Sequence, residues 1–420
     1  MRFKKVTAKD RAYLNCIACG SPILECKYLR HTGTGQPDWD RKIRNRRGRC
    51  AYTSTADVEA ADMSKNPLLW SAWYRAVIFD PKTNKAHLSG LACGAHPDYA
   101  PVVPTDPNRA RLSGRPKHAN DWNTEFLPID PFHWDHGCSK DGRPYGFAFH
   151  ADCWLLLGRA LDAETVERDP GVFALAMARL WKDLVYAYRW GRNLAHFTGR
   201  ACFKRGFCGV PGLELREVDR VQQRADEERR PTWPDGPRHT SRSPFNIPEI
   251  REVVASATAR AAETKTKTTS QAKPAGHRQP HLDSSPRSSP ATNLPLEIAL
   301  EIIDAIANSN RPPLTGLPCD PIQDTRNILA AFHWDLPDSY WIKRCSPALV
   351  FEDEDLRRSG TPVGWAALCL RLEALFDDPH WYCVGGLRRR RDILDFGRCL
   401  GKKMRFILED EDLRGKEVSR

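Results

Sequence analysis

Apolar residues recur with helical spacing in the stretch from Asn293 to Ile306. Pro295 fixes φ and has no N–H to donate, so it belongs in the first turn of a helix. A helix of about three turns is marginal alone in water and needs an apolar partner. The apolar positions lie four residues apart, with one more on an adjacent row: Leu294, Ile298, Ile302, Ile306 and Ile303.

Further amphipathic segments follow this stretch. Residues 322–332 predict a second helix, and a third begins at Pro337 and carries Trp341. Two longer helices are predicted at residues 363–376 and 388–407 from their apolar stripes. The C-terminal part of the chain is therefore predicted to be all helical.

The N-terminal half mixes strand and helix patterns. Residues 67–80 begin with the helical spacing of Leu69, Trp73 and Val77 and continue as an apolar run that should anchor a core. Residues 147–157 alternate aromatic side chains as in a strand and then run into an apolar helix. A short strand and a long helix are also predicted, at residues 87–91 and 170–195.

Residues 222–292 separate the two halves and are rich in Pro, Ser, Thr and Lys. They offer too few apolar groups to offset chain entropy, which predicts a disordered linker with room for a short helix around residues 249–260. Three Ser-Pro pairs, beginning at Ser243, Ser285 and Ser289, lie in it. The predicted fold class is α+β, in four parts: an irregular mixed N-terminal domain (1–221), the disordered linker (222–292), a three-helix module that opens an all-α C-terminal region (293–345), and C-terminal helices (346–420).

Composition narrows the cellular setting. The 420 residues include 32 Pro and carry a net charge of +11, a surplus that permits attraction to acidic surfaces without specifying one. No uncharged apolar run is long enough to span a bilayer, and the N-terminus lacks the apolar core of a signal peptide. We therefore expect no membrane association and a place in the cytoplasm or nucleus, where the 14 cysteines would be thiols or metal ligands.

Cysteine and histidine spacings predict a zinc site in the N-terminal domain. Cys16 and Cys19 form a C-x-x-C-G turn on which two thiolates can share one tetrahedral ion, and two more ligands are required. Two further pairs have the same separation, Cys93 with His96 and His150 with Cys153. The set Cys16, Cys19, Cys93 and His96 is one economical solution, the second pair is the alternative, and buried thiols without metal are the simplest reading.

A basic run at residues 41–49 lies close to the first cysteine pair, with Trp39 and Tyr52 as neighbouring aromatics. Such a run permits phosphate contacts, but without interleaved aromatics it more often forms a solvated loop. Nucleic-acid binding is therefore not the favoured expectation.

The stretch at 294–306 resembles the opening of an F-box, and Trp341 takes a place near the end of the third helix where such modules usually carry Trp. With the C-x-x-C-G turn and the junction from His150 to Trp154, the chain resembles uncharacterised F-box proteins of filamentous fungi. The resemblance implies a Skp-type adaptor, within a cullin complex, as a partner. The partner-binding residues it implies are Leu294, Pro295, Ile298, Ile302, Ile303, Ile306 and Trp341.

No nucleophile elbow, phosphate-binding loop, dinucleotide fingerprint or zinc-protease motif occurs in the sequence. The expected function is a non-catalytic substrate-recognition subunit of a cullin-RING (SCF-type) ubiquitin ligase, whose N-terminal domain holds an unknown client protein. The alternative is a zinc-stabilised nucleic-acid-binding protein or a non-catalytic interaction scaffold.

Overall fold

The computed structural model of the protein describes residues 14, 16–19, 23–24, 36–44, 50–61, 69–94, 101–113, 122–129, 143–161, 166, 169–188, 242–270, 294–307, 321–345, 349–378, 381 and 385–409. Over these residues the chain forms two compact units. The first holds the described parts of Met1–Gly209, Asp219–Asn246 and Cys383–Arg420, and the second holds those of Ile247–Tyr382. The prediction of a mixed fold with a helical C-terminal region is confirmed.

The helices and strands are defined here by their bounds. The described helices are α1 (Pro37–Arg44), α2 (Thr55–Glu59), α3 (Ala151–Ala160), α4 (Pro170–Tyr188), α5 (Pro248–Ser270), α6 (Leu296–Ala307), α7 (Pro321–Phe332), α8 (Asp338–Arg344), α9 (Phe351–Ser359), α10 (Trp365–Phe376) and α11 (Leu387–Glu409). The described strands are β1 (Ala51–Ser54), β2 (Trp73–Asp80), β3 (Lys85–Leu88), β4 (Leu91–Cys93), β5 (Val102–Pro104), β6 (Arg109–Ser113), β7 (Asn123–Glu125), β8 (Leu127–Pro128) and β9 (Tyr145–His150). None of the described helices is both long and apolar enough to cross a membrane.

Strand β2 is the centre of a mixed sheet in the first unit. The strand order is β1-β6-β4-β2-β9-β8, and β3 pairs with the second half of β2 on the edge whose first half pairs with β4. Strand β9 pairs antiparallel with β2 from Tyr74↔His150 to Phe79↔Tyr145. β5 and β7 form a separate two-stranded ribbon. His150 is therefore held at the end of a long, fixed strand pair.

Both faces of β2 are covered. Trp73 joins one buried cluster with Leu69 and Leu91, whereas Tyr74 and Ile78 join another on the opposite face. Successive side chains of a strand point to opposite faces, so a strand buried on both sides reads as a continuous apolar run. This burial explains why residues 73–78 carry little strand periodicity.

The helical spacing of Leu69, Trp73 and Val77 predicts the wrong element. Leu69–Ala72 is a single turn of 3₁₀-helix, and the strand β2 begins at Trp73. In a short apolar run, helix and strand periods cannot be told apart, and pairing with β9 decides the outcome. The strand-to-helix change predicted within residues 147–157 is confirmed at the junction of β9 and α3.

Helix α11 belongs to the first unit and packs against α3 and α4. Its extent agrees with the helix predicted at 388–407, but its position differs from the separate C-terminal region expected for residues 346–420. Its apolar stripe, which includes Ile393, Leu400 and Ile407, is fully buried. A stripe of this kind requires a partner, and the sequence does not say which one.

The second unit contains α5 to α10. Helix α5 lies within the predicted linker and is longer than the helix expected around residues 249–260. Ile250, Val253 and Ala257 form a buried stripe, and α5 packs against α10 and α9. The helix expected within the linker is thus present and extends to Ser270, and much of the remaining linker lies outside the described residues. The predicted helices at 322–332 and 363–376 are present as α7 and α10.

The packing of α11 on α3 is tested by Gly397. An added Cβ there would lie 2.6 Å from Ala160 Cβ and 3.3 Å from Leu157 Cδ2. We expect Gly397→Ala to lower the free energy of unfolding of the first unit by about 1–3 kcal/mol, because the two helices must separate. Chemical denaturation of the full-length protein gives this measurement.

Gly401→Ala, one turn later in the same helix, is the matched control. Its Cβ would meet only the flexible end of Leu161, at 3.0 Å. The higher helix propensity of Ala, about 1 kcal/mol, should then leave this variant as stable as the wild type or more stable. Equal stability of the two variants would contradict the close approach of α11 to α3.

Candidate functional site

Two short segments bring the candidate metal ligands together in the first unit. Cys16 and Cys19 lie on a turn, and His150 and Cys153 lie at the junction where β9 becomes α3. The Ile17 N–H donates to the Ala148 carbonyl oxygen at 2.9 Å, which attaches the turn to β9. Each pair has two intervening residues, and this spacing lets both side chains of a pair point to the same side of the backbone.

The four ligand atoms form a compact cluster. All of them lie within 4.8 Å of one another. Atoms bound to one tetrahedral ion at about 2.0–2.3 Å lie roughly 3.3–3.8 Å apart, so only small shifts would be needed for coordination. Cys16, His150 and Cys153 are fully buried and Cys19 is half-buried. The arrangement can hold a metal ion with four protein ligands.

His150 is oriented by its backbone and by its ring. Its backbone N–H donates to Cys16 Sγ at 3.3 Å. Its ring Nδ1 lies 3.4 Å from Cys19 Sγ and 3.8 Å from Cys153 Sγ. The indole of Trp70 packs on the imidazole at 4.9 Å between ring centres. Nε2 is buried without a hydrogen-bond partner among the described residues. Nδ1 is therefore the nitrogen that faces the thiols.

The thiols and the imidazole change one another's acidity strongly. Burial alone would lower the pKa of His150, but the charges and hydrogen bonds of Cys16 and Cys19 outweigh it and raise the pKa to about 10. Burial would raise the pKa of Cys19, but hydrogen bonds with Cys153 and Cys16 and the charge of His150 bring it well below its ordinary value. Burial raises the pKa of Cys153, and its hydrogen bonds with Cys16 and Cys19 raise it further. The pocket thus favours a thiolate at Cys19 balanced by a positive His150, and a neutral thiol at Cys153.

Cys93 does not belong to this cluster. It lies in β4 opposite Trp73 and is buried in the core beside Leu91. Strands β4 and β9 flank β2 on opposite sides, so Cys93 and His150 are separated by two strand spacings, about 10 Å. His96 lies outside the described residues. Of the two predicted ligand sets, the structure brings together the one that contains His150 and Cys153.

The start of α6 exposes large apolar side chains on the second unit. Leu294, Leu296 and Ile298 are 37%, 45% and 40% exposed, and Pro295 is exposed beside them. Ala299 and Ile303, further along the helix, are buried, and α6 packs on α7. Ile302 and Ile306 are half-buried. We call Leu294, Leu296 and Ile298 the exposed α6 patch.

Two residues predicted to bind a partner lie inside the second unit instead. Ile303 and Trp341 are 0% and 1% exposed. Ile303 lies on the buried side of α6, and the indole of Trp341 is buried within the second unit. Neither can contact a partner on the surface. Leu296 was missed because it falls outside the four-residue repeat, and only its place beside Pro295 could have indicated it.

A polar network fixes α8 against its neighbours. The Tyr340 hydroxyl donates to Asp304 Oδ1 on α6 at 2.6 Å, and Arg344 donates to the same hydroxyl at 3.0 Å. Arg344 also makes two bonds, of 2.6 and 2.8 Å, to the carboxylate of Glu373 on α10. Burial and the hydrogen bond to Asp304 raise the pKa of Tyr340 to about 12. This network ties α6, α8 and α10 together.

The described part of the basic run offers little to a nucleic acid. Arg41 pairs with Asp38 at 2.9 Å on the surface of α1. Trp39 is buried and packs edge-on against Trp73 at 5.5 Å between ring centres, so its face is not available for base stacking. The ring of Tyr52 lies under the guanidinium of Arg109. Residues 45–49 lie outside the described residues.

Comparisons of the chain with models of protein families, with curated proteins and with solved structures found no match.

Proposed function

We propose that the protein is a non-catalytic substrate-recognition subunit of a cullin-RING (SCF-type) ubiquitin ligase, and that α6 binds a Skp-type adaptor. The observation that carries this proposal is the exposed α6 patch. Five large hydrophobic side chains are exposed among the described residues, and three of them lie in this one segment. Scattered apolar side chains are normal on a protein surface, whereas a cluster marks an interaction site.

The way α6 is held leaves the patch open. Ala299 and Ile303 are buried, α6 packs on α7, and the Asp304–Tyr340 bond attaches α6 to α8. Ile298 and the half-buried Ile302 lie one turn apart beside this buried stripe, the spacing with which a helix enters an apolar groove. Burying a large apolar side chain contributes roughly 1.5–3 kcal/mol, so the patch could supply much of a specific affinity.

The mechanism of such a subunit is proximity. The second unit would dock on the adaptor, and the first unit would hold the client protein. A client held beside a charged ubiquitin carrier experiences a raised effective concentration, and the other subunits of the ligase perform the chemistry. This role needs no catalytic residue in the chain itself.

An interaction scaffold with a different partner would use the same exposed patch, so identification of the partner distinguishes the two functions. Nucleic-acid binding gains no support from the described residues, because Trp39 is buried and Arg41 is paired with Asp38.

Replacing the exposed α6 patch should abolish adaptor binding without unfolding the protein. In the double variant Leu296→Asp plus Ile298→Asp, two carboxylates would have to enter the adaptor's apolar groove, which is costly. We expect binding to a purified Skp-type adaptor to weaken by about a hundredfold or more, as loss of two central anchors does. Isothermal titration calorimetry with the full-length protein measures the change in the dissociation constant for the adaptor.

Glu301→Lys is the matched control, because it also changes a charge at an exposed position of α6. It should retain adaptor binding to within about threefold, the effect of a peripheral charge. Thermal unfolding should be unchanged in both variants, since neither alters a buried group. Wild-type protein that does not bind the adaptor, or a double variant that binds it unchanged, would refute the adaptor proposal and leave a scaffold with another partner.

We also infer that Cys16, Cys19, His150 and Cys153 hold a metal ion, and that this ion is a structural zinc. Three sulfur donors and one imidazole are a donor set that zinc occupies in closed tetrahedral sites. With four protein ligands no position remains open for a substrate, so the ion would stabilise the fold rather than catalyse a reaction. It would join the N-terminal turn to the end of the central strand pair.

Cys153→Ala should therefore remove the metal, whereas Cys93→Ala should not. Both residues are buried thiols of the first unit, so the pair is matched in size and burial. We expect the wild type and Cys93→Ala to contain about one zinc per chain, and Cys153→Ala to contain less than about a tenth of that after chelator treatment. Atomic emission on purified protein measures zinc content.

The result separates three possibilities. Zinc lost from Cys93→Ala but kept in Cys153→Ala would mean that the ligand set is wrong. Wild-type protein purified and refolded with zinc yet free of metal would mean that the four residues are a metal-free thiol cluster.

A further inference from the structure

The side chain of Ser243 joins the segment 242–246 to the junction that carries His150 and Cys153 in the first unit. The Ser243 hydroxyl donates to Asp152 Oδ2 in α3. Ser243 Oγ in turn accepts the backbone N–H groups of Phe245, at 3.1 Å, and Asn246, at 3.0 Å. Ser243 thus joins the turn of its own segment to a carboxylate of α3.

Asp152 occupies a sensitive position. It is the second residue of α3 and lies between His150 and Cys153, two of the four candidate ligands. It is 7% exposed, so its carboxylate has little access to water. A change in the partners of this carboxylate would therefore occur one residue from Cys153 and two from His150.

Two arginines of α11 also contact the segment 242–246. Arg390 is completely buried, and its Nε and Nη2 donate to the carbonyl oxygens of Pro244 and Phe245 at 2.8 and 2.7 Å. Arg389 Nη1 lies 3.4 Å from the carbonyl oxygen of Arg242. These contacts bind main-chain atoms of the segment, whereas Ser243 contacts α3 through its side chain.

We propose that Ser243 is a phosphorylation site for a proline-directed protein kinase, and that its phosphorylation detaches the segment 242–246 from α3. Pro244 follows Ser243 directly, as such kinases require. The kinase would transfer the γ-phosphoryl group of ATP to Ser243 Oγ. An oxygen–phosphorus bond forms there, the bond from the γ-phosphorus to the bridging oxygen of ADP breaks, and the hydroxyl proton passes to the base of the kinase.

The chemistry of the contact makes it sensitive to this modification. The hydroxyl now donates its proton to Asp152, whereas a phosphate with about −1.5 to −2 charges at neutral pH has little or no proton to donate. Two anions would then face each other at a site with little water, where repulsion is weakly screened. Arg390 cannot turn to the phosphate without abandoning its two carbonyl partners in a buried position.

Ser243 is half-buried, so the kinase would act on the segment during local opening, which short surface segments undergo far more often than global unfolding. The phosphate would then prevent the segment from closing. The modification would keep the segment detached from the region that carries His150 and Cys153. This inference depends neither on adaptor binding nor on the identity of the metal.

The first test is phosphorylation of the intact protein by a proline-directed kinase with ATP, read by mass spectrometry of proteolytic peptides. Ser285, which also precedes a proline, serves as the internal reference. We expect phosphate on Ser243. Phosphate on Ser285 but none on Ser243, at complete reaction, would overturn the proposal.

The second test is hydrogen exchange of the peptide that spans Phe245 and Asn246, whose N–H groups are bonded to Ser243 Oγ. In the phosphorylated protein and in Ser243→Glu, we expect exchange at least about tenfold faster than in the wild type, the effect of losing one charge-assisted contact. Ser285→Glu adds the same charge elsewhere and should leave this exchange unchanged. Unchanged exchange in the phosphorylated protein would overturn the detachment.

A double variant identifies the charge responsible. Ser243→Glu raises the exchange rate by some factor when residue 152 is Asp. If repulsion by Asp152 opens the segment, that factor should be about tenfold smaller when residue 152 is Asn, as in a double-mutant cycle. An equal effect of Ser243→Glu with Asp or Asn at position 152 would show that repulsion is not the cause. Phosphorylated wild-type protein is folded before it is modified, so failure of a variant to fold cannot imitate the expected result.

Discussion

The pairing of β9 with β2 is the constraint on which the first unit depends. Six residues of β9, from Tyr145 to His150, are in register with β2, and the strand then turns directly into α3. Because β2 is buried on both faces, this pairing cannot slip by one residue without moving every side chain to the wrong face. The position of His150 is therefore set by the sheet rather than by its own loop. The cysteine turn has only to reach the end of a rigid element.

The local features of the chain are predictable from the sequence, and the long-range ones are not. The x-x spacing of Cys16 and Cys19 and the periodicity of α10 predict a ligand turn and a helix, since both depend on residues close in sequence. Which second pair completes the site depends on strand order, because β2 separates Cys93 from His150. Equal spacings in two candidate pairs carry no information about that order.

The same limit applies to the second unit. Periodicity places an apolar stripe on α6, but it does not say which edge of the stripe faces the core. Packing on α7 buries Ile303 and leaves Ile298 at the surface, and Trp341 is drawn into the core although its position in the sequence suggested a contact residue. Likewise, α5 is helical within a segment of linker composition because Ile250 and Val253 find α10 to pack against. A few well-spaced apolar residues can outweigh an unfavourable average composition.

The first unit is assembled from parts that are far apart in sequence. The last strand of its sheet ends at His150, the segment 242–246 comes about ninety residues later, and α11 follows the second unit in sequence. Arg390 links two of these parts, because a buried guanidinium needs acceptors and two of them are the carbonyl oxygens of Pro244 and Phe245. Removing the segment around 244 would leave that charge without these two partners, and removing α11 would uncover the faces of α3 and α4. The boundary suggested by composition at residue 222 therefore separates parts of the first unit, and the boundary at residue 346 falls inside the second unit.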